Sequence, residues 1–169
     1  MKQYDLKAKP TATGGPAPTL TQVMSGQIDV GWSAPPFAMQ QLDEGKIRII
    51  ASGNDASVFK GQTVRLLITN TQTLASRKPA IDRFMKAYRE TIDWLYSSDP
   101  AALKTYADFV GIPLAMATRT RDDFFPRASV DPDRIVGLDT IIPDAVALKF
   151  TAAPLTKEQL AELIQIPPR

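Results

Sequence analysis

Two turn segments hold the residues best suited to contact a ligand. The first, Thr13-Gly-Gly-Pro-Ala-Pro-Thr-Leu20, sits between an apolar run and a helical pattern. Glycines there let the backbone approach a bound group, and the N–H groups that open a helix favour an anion or a polar oxygen. Thr13 and Thr19 could add hydroxyl donors; an ordinary strand-to-helix turn also explains the glycines. It is not a phosphate loop, because no Gly-Lys-Ser/Thr follows. The second segment, Gly31-Trp-Ser-Ala-Pro-Pro-Phe-Ala38, again leaves an apolar run for a helical pattern. Trp32 could stack on or wall off a ligand and Ser33 could hydrogen-bond it; a core tryptophan is the competing explanation.

The rest of the chain offers little catalytic chemistry. It has no Cys and no His among 169 residues. Thiol nucleophiles, imidazole bases, Ser-His-Asp triads and Cys/His zinc sites are therefore excluded, and any metal would need oxygen ligands. No catalytic residue, metal ligand or cofactor is assigned, and a binding protein is expected rather than an enzyme. Asp122 and Asp123 are adjacent and point apart, which makes a poor acid/base pair. Lys2, Lys7 and Lys9 read as solvated. Arg83, Lys86, Arg89 and Glu90 read as the wet face of a long helix. Arg65, inside an apolar run, needs either a partner or a cleft. A formal net charge of +2 gives no reason to expect a nucleic-acid partner. The lack of thiols fits an oxidising compartment and a Cys-poor cytosolic protein equally.

The elements that must position these turns change character along the chain. Residues 6–13, 28–32, 47–52 and 62–70 read as strands, with helices over about 18–25 and 36–44 between the first three. That order predicts a parallel sheet covered by helices, with the two turns side by side on the rim at its carboxyl ends. From Lys78 the period becomes helical. Ile81, Phe84, Met85, Tyr88, Ile92 and Leu95 form one stripe over 78–97. Asp99-Pro100 caps a second helix ending at Gly111, and Pro113 opens a third reaching about Phe125. Asp131-Pro132 is expected to cap a helix over 131–150 that Pro143 breaks or kinks. Thr156 with Gln159 makes a capping box for the last helix. The expected organisation is 1–60 as a partial α/β ligand-binding lobe, 61–77 as a crossover strand and hinge, and 78–169 as C-terminal helices.

The ordered set Met24-Ser-Gly-Gln-Ile-Asp-Val-Gly-Trp32, Pro35-Pro-Phe-Ala-Met-Gln-Gln-Leu-Asp-Glu-Gly45 and Ile47-Arg-Ile-Ile-Ala-Ser-Gly53 resembles the second lobe of the nitrate/sulfonate/taurine-type solute-binding proteins of ABC importers. Binders of thiamine-pyrimidine precursors belong to the same group. Residues 78–103 are similar to the long C-terminal helix of that family and the helix after it. The resemblance implies a type II periplasmic-binding-protein-like α/β lobe followed by helices. It further implies a periplasmic location, a small polar or anionic ligand, and ABC transporter membrane subunits as partners. Carried over by position, the ligand contacts would be Thr13, Gly14, Gly15, Pro16, Ala17, Trp32, Ser33 and Ala34, while Asp29 shapes its turn. Family members are about twice as long, so the chain reads as a truncated second lobe with the first lobe and signal peptide missing. Self-association through the uncovered apolar helix faces is then expected. Two other readings share related folds: an effector-sensing domain of a transcriptional regulator, and a eukaryotic-type pyrimidine synthase, whose chemistry relies on the His and Cys this chain lacks.

Overall fold

The computed structural model describes residues 7–57, 61–63 and 65–169. Among them every regular element is a helix. The α-helices are α1 (Pro16–Met24), α2 (Met39–Asp43), α3 (Thr71–Ser76), α4 (Lys78–Leu95), α5 (Pro100–Val110), α6 (Leu114–Arg119), α7 (Leu138–Ala147) and α8 (Lys157–Leu163). A π turn, Thr120–Phe124, continues α6, and single 3₁₀ turns occupy Gly53–Asp55 and Arg127–Ser129.

Among the described residues the expected parallel α/β sheet is absent. Residues 7–13, 28–32, 47–52 and the described part of 62–70 form no strand or ladder. Strand residues are stabilised by their neighbours across a sheet more than by their own backbone preference, so β-rich composition without an adjacent strand yields irregular chain. Residue 6 and part of the fourth expected strand lie outside the described residues. The stretch assigned to hinge also contains α3, whose N-cap Asn70 accepts the Thr73 N–H at 2.7 Å.

The helical half follows its local signals closely. α4 covers almost the whole predicted span and turns Met85 and Ile92 inward. Asp99 caps α5 through the Ala101 N–H at 2.9 Å, and Gly111 ends it at φ 75°. α5 packs on α6, and Ala102 and Ala107 of α5 and Ala117 of α6 are each nearly inaccessible. Small side chains there let the backbones approach closely. Thr120 donates to the Met39 sulfur at 3.7 Å, and Arg119 pairs with Asp43 at 2.8 Å, so α2 is held against the α6 end.

One predicted helix starts late. The Asp131 carboxylate does accept the Asp133 N–H, at 3.0 Å, but the chain leaves that turn and α7 begins only after Gly137. Gly137 sits at φ 85°, and a Cβ there would lie 2.6 Å from Gln62 Cγ and 3.2 Å from its Cα. Next to it, Thr63 N–H bonds the Val136 carbonyl at 3.1 Å and Val136 N–H bonds the Thr63 hydroxyl at 3.0 Å. These long-range bonds to Thr63 stand where 131–137 would otherwise make helical bonds.

Candidate functional site

A wide concavity has a volume of about 2490 Å³. Its wall is built from residues 29–39, 46–53, the described part of 61–71, one face of α4, residues 124–142, and the stretch from α8 to Pro167. Among the described residues, thirteen of the twenty exposed large apolar side chains lie on this one wall. The chain therefore concentrates its wet apolar surface in one place instead of scattering it.

Trp32, Ser33 and Ala34 lie on that wall; Thr13, Gly14, Gly15, Pro16 and Ala17 do not. Trp32 is 66% exposed. The Ser33 hydroxyl donates to the Phe37 carbonyl at 3.3 Å, and the Phe37 N–H closes the same turn on the Ala34 carbonyl at 3.1 Å. The two expected turns nevertheless meet through Thr19. Its hydroxyl donates to the Gly15 carbonyl at 2.7 Å, leaving it to accept from the Thr13 hydroxyl at 2.5 Å. Its methyl faces Gly31, where a Cβ would come within 2.6 Å of Thr19 Cγ2 and 2.7 Å of Val23 Cγ2. Gly31 is required by that close approach of its backbone to α1.

The opening of α1 is a poor anion cradle. Pro16 and Pro18 carry no N–H, and the Thr19 N–H bonds the Gly15 carbonyl at 3.0 Å, so Ala17 retains the one unused donor of that turn. Positive charge is supplied elsewhere. Arg48, Arg65 and Arg134 all line the concavity, are exposed, and have no ion pair among the described residues. Arg65 thus meets its need for a cleft instead of a carboxylate partner. A guanidinium on an apolar wall can take a carboxylate, sulfonate or phosphate in a two-pronged hydrogen bond.

A second polar cluster fastens the chain end beside this wall. Arg89, 7% exposed on α4, gives Nε to Asp133 at 2.9 and 3.1 Å and Nη2 to Asp133 Oδ1 at 2.8 Å. The same guanidinium donates to the carbonyls of Pro167 at 2.5 Å and Pro168 at 3.1 Å. Arg169 completes the cluster with Nε on Asp133 at 2.7 Å and Nη2 3.5 Å from Asp131. The Arg89 hydrogen bonds hold the Asp133 carboxyl below its usual range; burial opposes this and Arg169 adds to it. Arg89 therefore does not belong to a wet helix face. It falls four residues after Met85 and three before Ile92, on the apolar stripe itself, and that spacing was the signal available in the sequence.

Among the described residues no cluster of three or more carboxylates could hold a metal ion, and no helix is long and apolar enough to cross a membrane. Compared with known proteins, the chain matches no family model, no curated protein and no solved structure.

Proposed function

We propose that the chain is a binding component that takes a small anionic organic solute, of the sulfonate or taurine kind, for delivery to the membrane subunits of an ABC importer. The observation that carries the ligand class is the set of three arginines, Arg48, Arg65 and Arg134, which have no ion pair among the described residues, on the apolar wall that also bears Trp32, Ser33 and Ala34. The transport role and a periplasmic setting rest on the resemblance of residues 24–53 and 78–103. Among the described residues the sheet implied by that resemblance is absent, so the ligand class is argued from the arginines instead.

In this reading one or two guanidiniums hold the charged head group, the Trp32 ring covers the organic part, and the apolar wall lowers the local dielectric so that each charge-assisted bond strengthens. Affinity on the order of micromolar, about 8 kcal/mol, is expected. Isothermal titration calorimetry of the chain against taurine, an alkanesulfonate, nitrate and an aminopyrimidine tests it. An organic anion should bind, with Arg65→Ala and Trp32→Ala each weakening it about tenfold or more. No heat across the panel, or binding indifferent to both substitutions, rejects the reading.

A further inference from the structure

One side of the concavity is a single stretch of chain, α8 and the residues after it, with lining side chains from Leu155 to Pro167. This stretch is lightly packed. No residue of α8 is buried, and Leu163 and Ile166 are 70% and 40% exposed. Among the described residues, the side-chain hydrogen bonds of 156–166 all stay within that stretch: the reciprocal cap between Thr156 and Gln159, and the Gln165 amide on the Glu162 carbonyl at 2.9 Å. Lys157, Glu158 and Glu162 form no ion pair there.

The polar ties to the rest of the fold are gathered at the far end. Arg89 holds the Pro167 and Pro168 carbonyls, and Arg169 reaches back to Asp133 and Asp131. The near end is free to pivot. α7 is closed by the Phe150 and Thr151 N–H groups, both on the Ala145 carbonyl, at 2.8 and 3.3 Å. From there to Thr156, residues 152–155 make no backbone hydrogen bond among the described residues, and Pro154 has no N–H to give. A torsion change at 152–155 therefore breaks no hydrogen bond, which is what a hinge requires.

We propose that residues 156–169 are a hinged strap, pivoting at 152–155 and latched by Arg89 and the Asp131–Asp133 turn, that opens and closes one side of the concavity as a unit. A segment with few buried contacts detaches at less cost than the fold as a whole. Release is also compatible with the charges at the latch. It takes the two proline carbonyls and Arg169 away but leaves Arg89 with Asp133, so no buried guanidinium is stranded. The seven residues of α8 are too few to stay helical alone in water, so α8 melts when the strap leaves the wall. Trp32, Arg48 and Arg65 take no part, and the strap is independent of the solute reading.

Native-state hydrogen exchange of the full chain without any solute, followed at the amides of 159–164 in rising urea, tests it. Those amides should share one opening, more populated than that of α4 and α5 and less steeply dependent on urea, because little surface is exposed when the strap swings out. Arg169→Ala removes a side chain that is 59% exposed and lies beyond α8. It should nonetheless quicken exchange across 159–164 by about 2–5-fold, since the latch must release before α8 can leave. Exchange at 159–164 with the same free energy and urea slope as α4 and α5 overturns the strap, because α8 then leaves only when the whole fold is lost. Exchange there that is indifferent to Arg169→Ala overturns it too, because α8 then frays with the latch still closed.

Discussion

The Arg89 cluster supports a graded prediction, because its three members differ in what each leaves behind when removed. Asp133→Ala leaves a guanidinium that is 7% exposed with only the Pro167 and Pro168 carbonyls for company. Stranding a buried charge in this way costs about 3–5 kcal/mol. Arg89→Ala is milder, since the 18% exposed Asp133 side chain keeps Arg169; about 2–3 kcal/mol is expected, part of it lost packing of the arginine stem. Arg169 has 59% of its side chain exposed, so Arg169→Ala should cost under about 1 kcal/mol. Urea denaturation followed by circular dichroism reads all three, and the larger losses should lower Tm by roughly 10 °C. The double substitution Arg89→Ala with Asp133→Ala should be less harmful than the sum of its parts by more than about 1 kcal/mol. Additivity, or a cost for Arg169→Ala equal to that of Asp133→Ala, would refute the view that the buried pair is the anchor. The pH dependence has a definite sign. Asp133 has its pKa depressed in the fold, so its contribution is complete above the unfolded carboxylate value of about 3.9 and disappears as pH falls through the lower folded value. Wild type and Asp133→Asn should thus differ fully at pH 5 to 7 and converge only in stronger acid.

Gly137→Ala should cost at least about 2 kcal/mol, because it places a Cβ at φ 85° and against the Gln62 backbone. Gly53→Ala, with nothing within 4 Å of the added carbon, is its near-neutral control in thermal unfolding; equal Tm values for the two would defeat the close-approach explanation. Thr156→Ala removes the hydroxyl that accepts the Gln159 N–H and half of the reciprocal cap on α8. About 1 kcal/mol should be lost, and hydrogen exchange should quicken in residues 157–163 and leave α5 unchanged.

What could be read from the residues depended on how far apart the interacting partners lie. Helix caps act over two or three residues, and Asp99 with Ala101 and Thr156 with Gln159 form as their spacing requires. The α4 stripe is equally local, since its period follows from helix geometry alone. The segments around 28–32, 47–52 and 62–70 share the apolar, β-branched composition of strands, yet that composition describes a surface waiting for a neighbour, and none lies alongside among the described residues. The site divides in the same way. Trp32, Ser33 and Ala34 are on the wall because the turn through Phe37 fixes them locally. Thr13 reaches the region only through Thr19, and Gly14 to Ala17 stay outside it.

Arg89 shows how the same reasoning could have gone further. Its position between Met85 and Ile92 makes it a charge on an apolar stripe, and such a charge must be neutralised by a partner supplied from elsewhere in the chain. The partner, Asp133, is 44 residues away, and what looked like a helix cap at Asp131-Pro132 is the turn that delivers it. A helix starting at 131 would have used the Asp133 backbone in the first turn; the chain instead leaves the turn at Asp133, and α7 waits until Gly137. The late start of α7 and the burial of Arg89 are therefore one event. A substitution that restored helix over 131–137 should loosen the Arg89 pair, and with it the hold on Pro167 and Pro168 at the chain end.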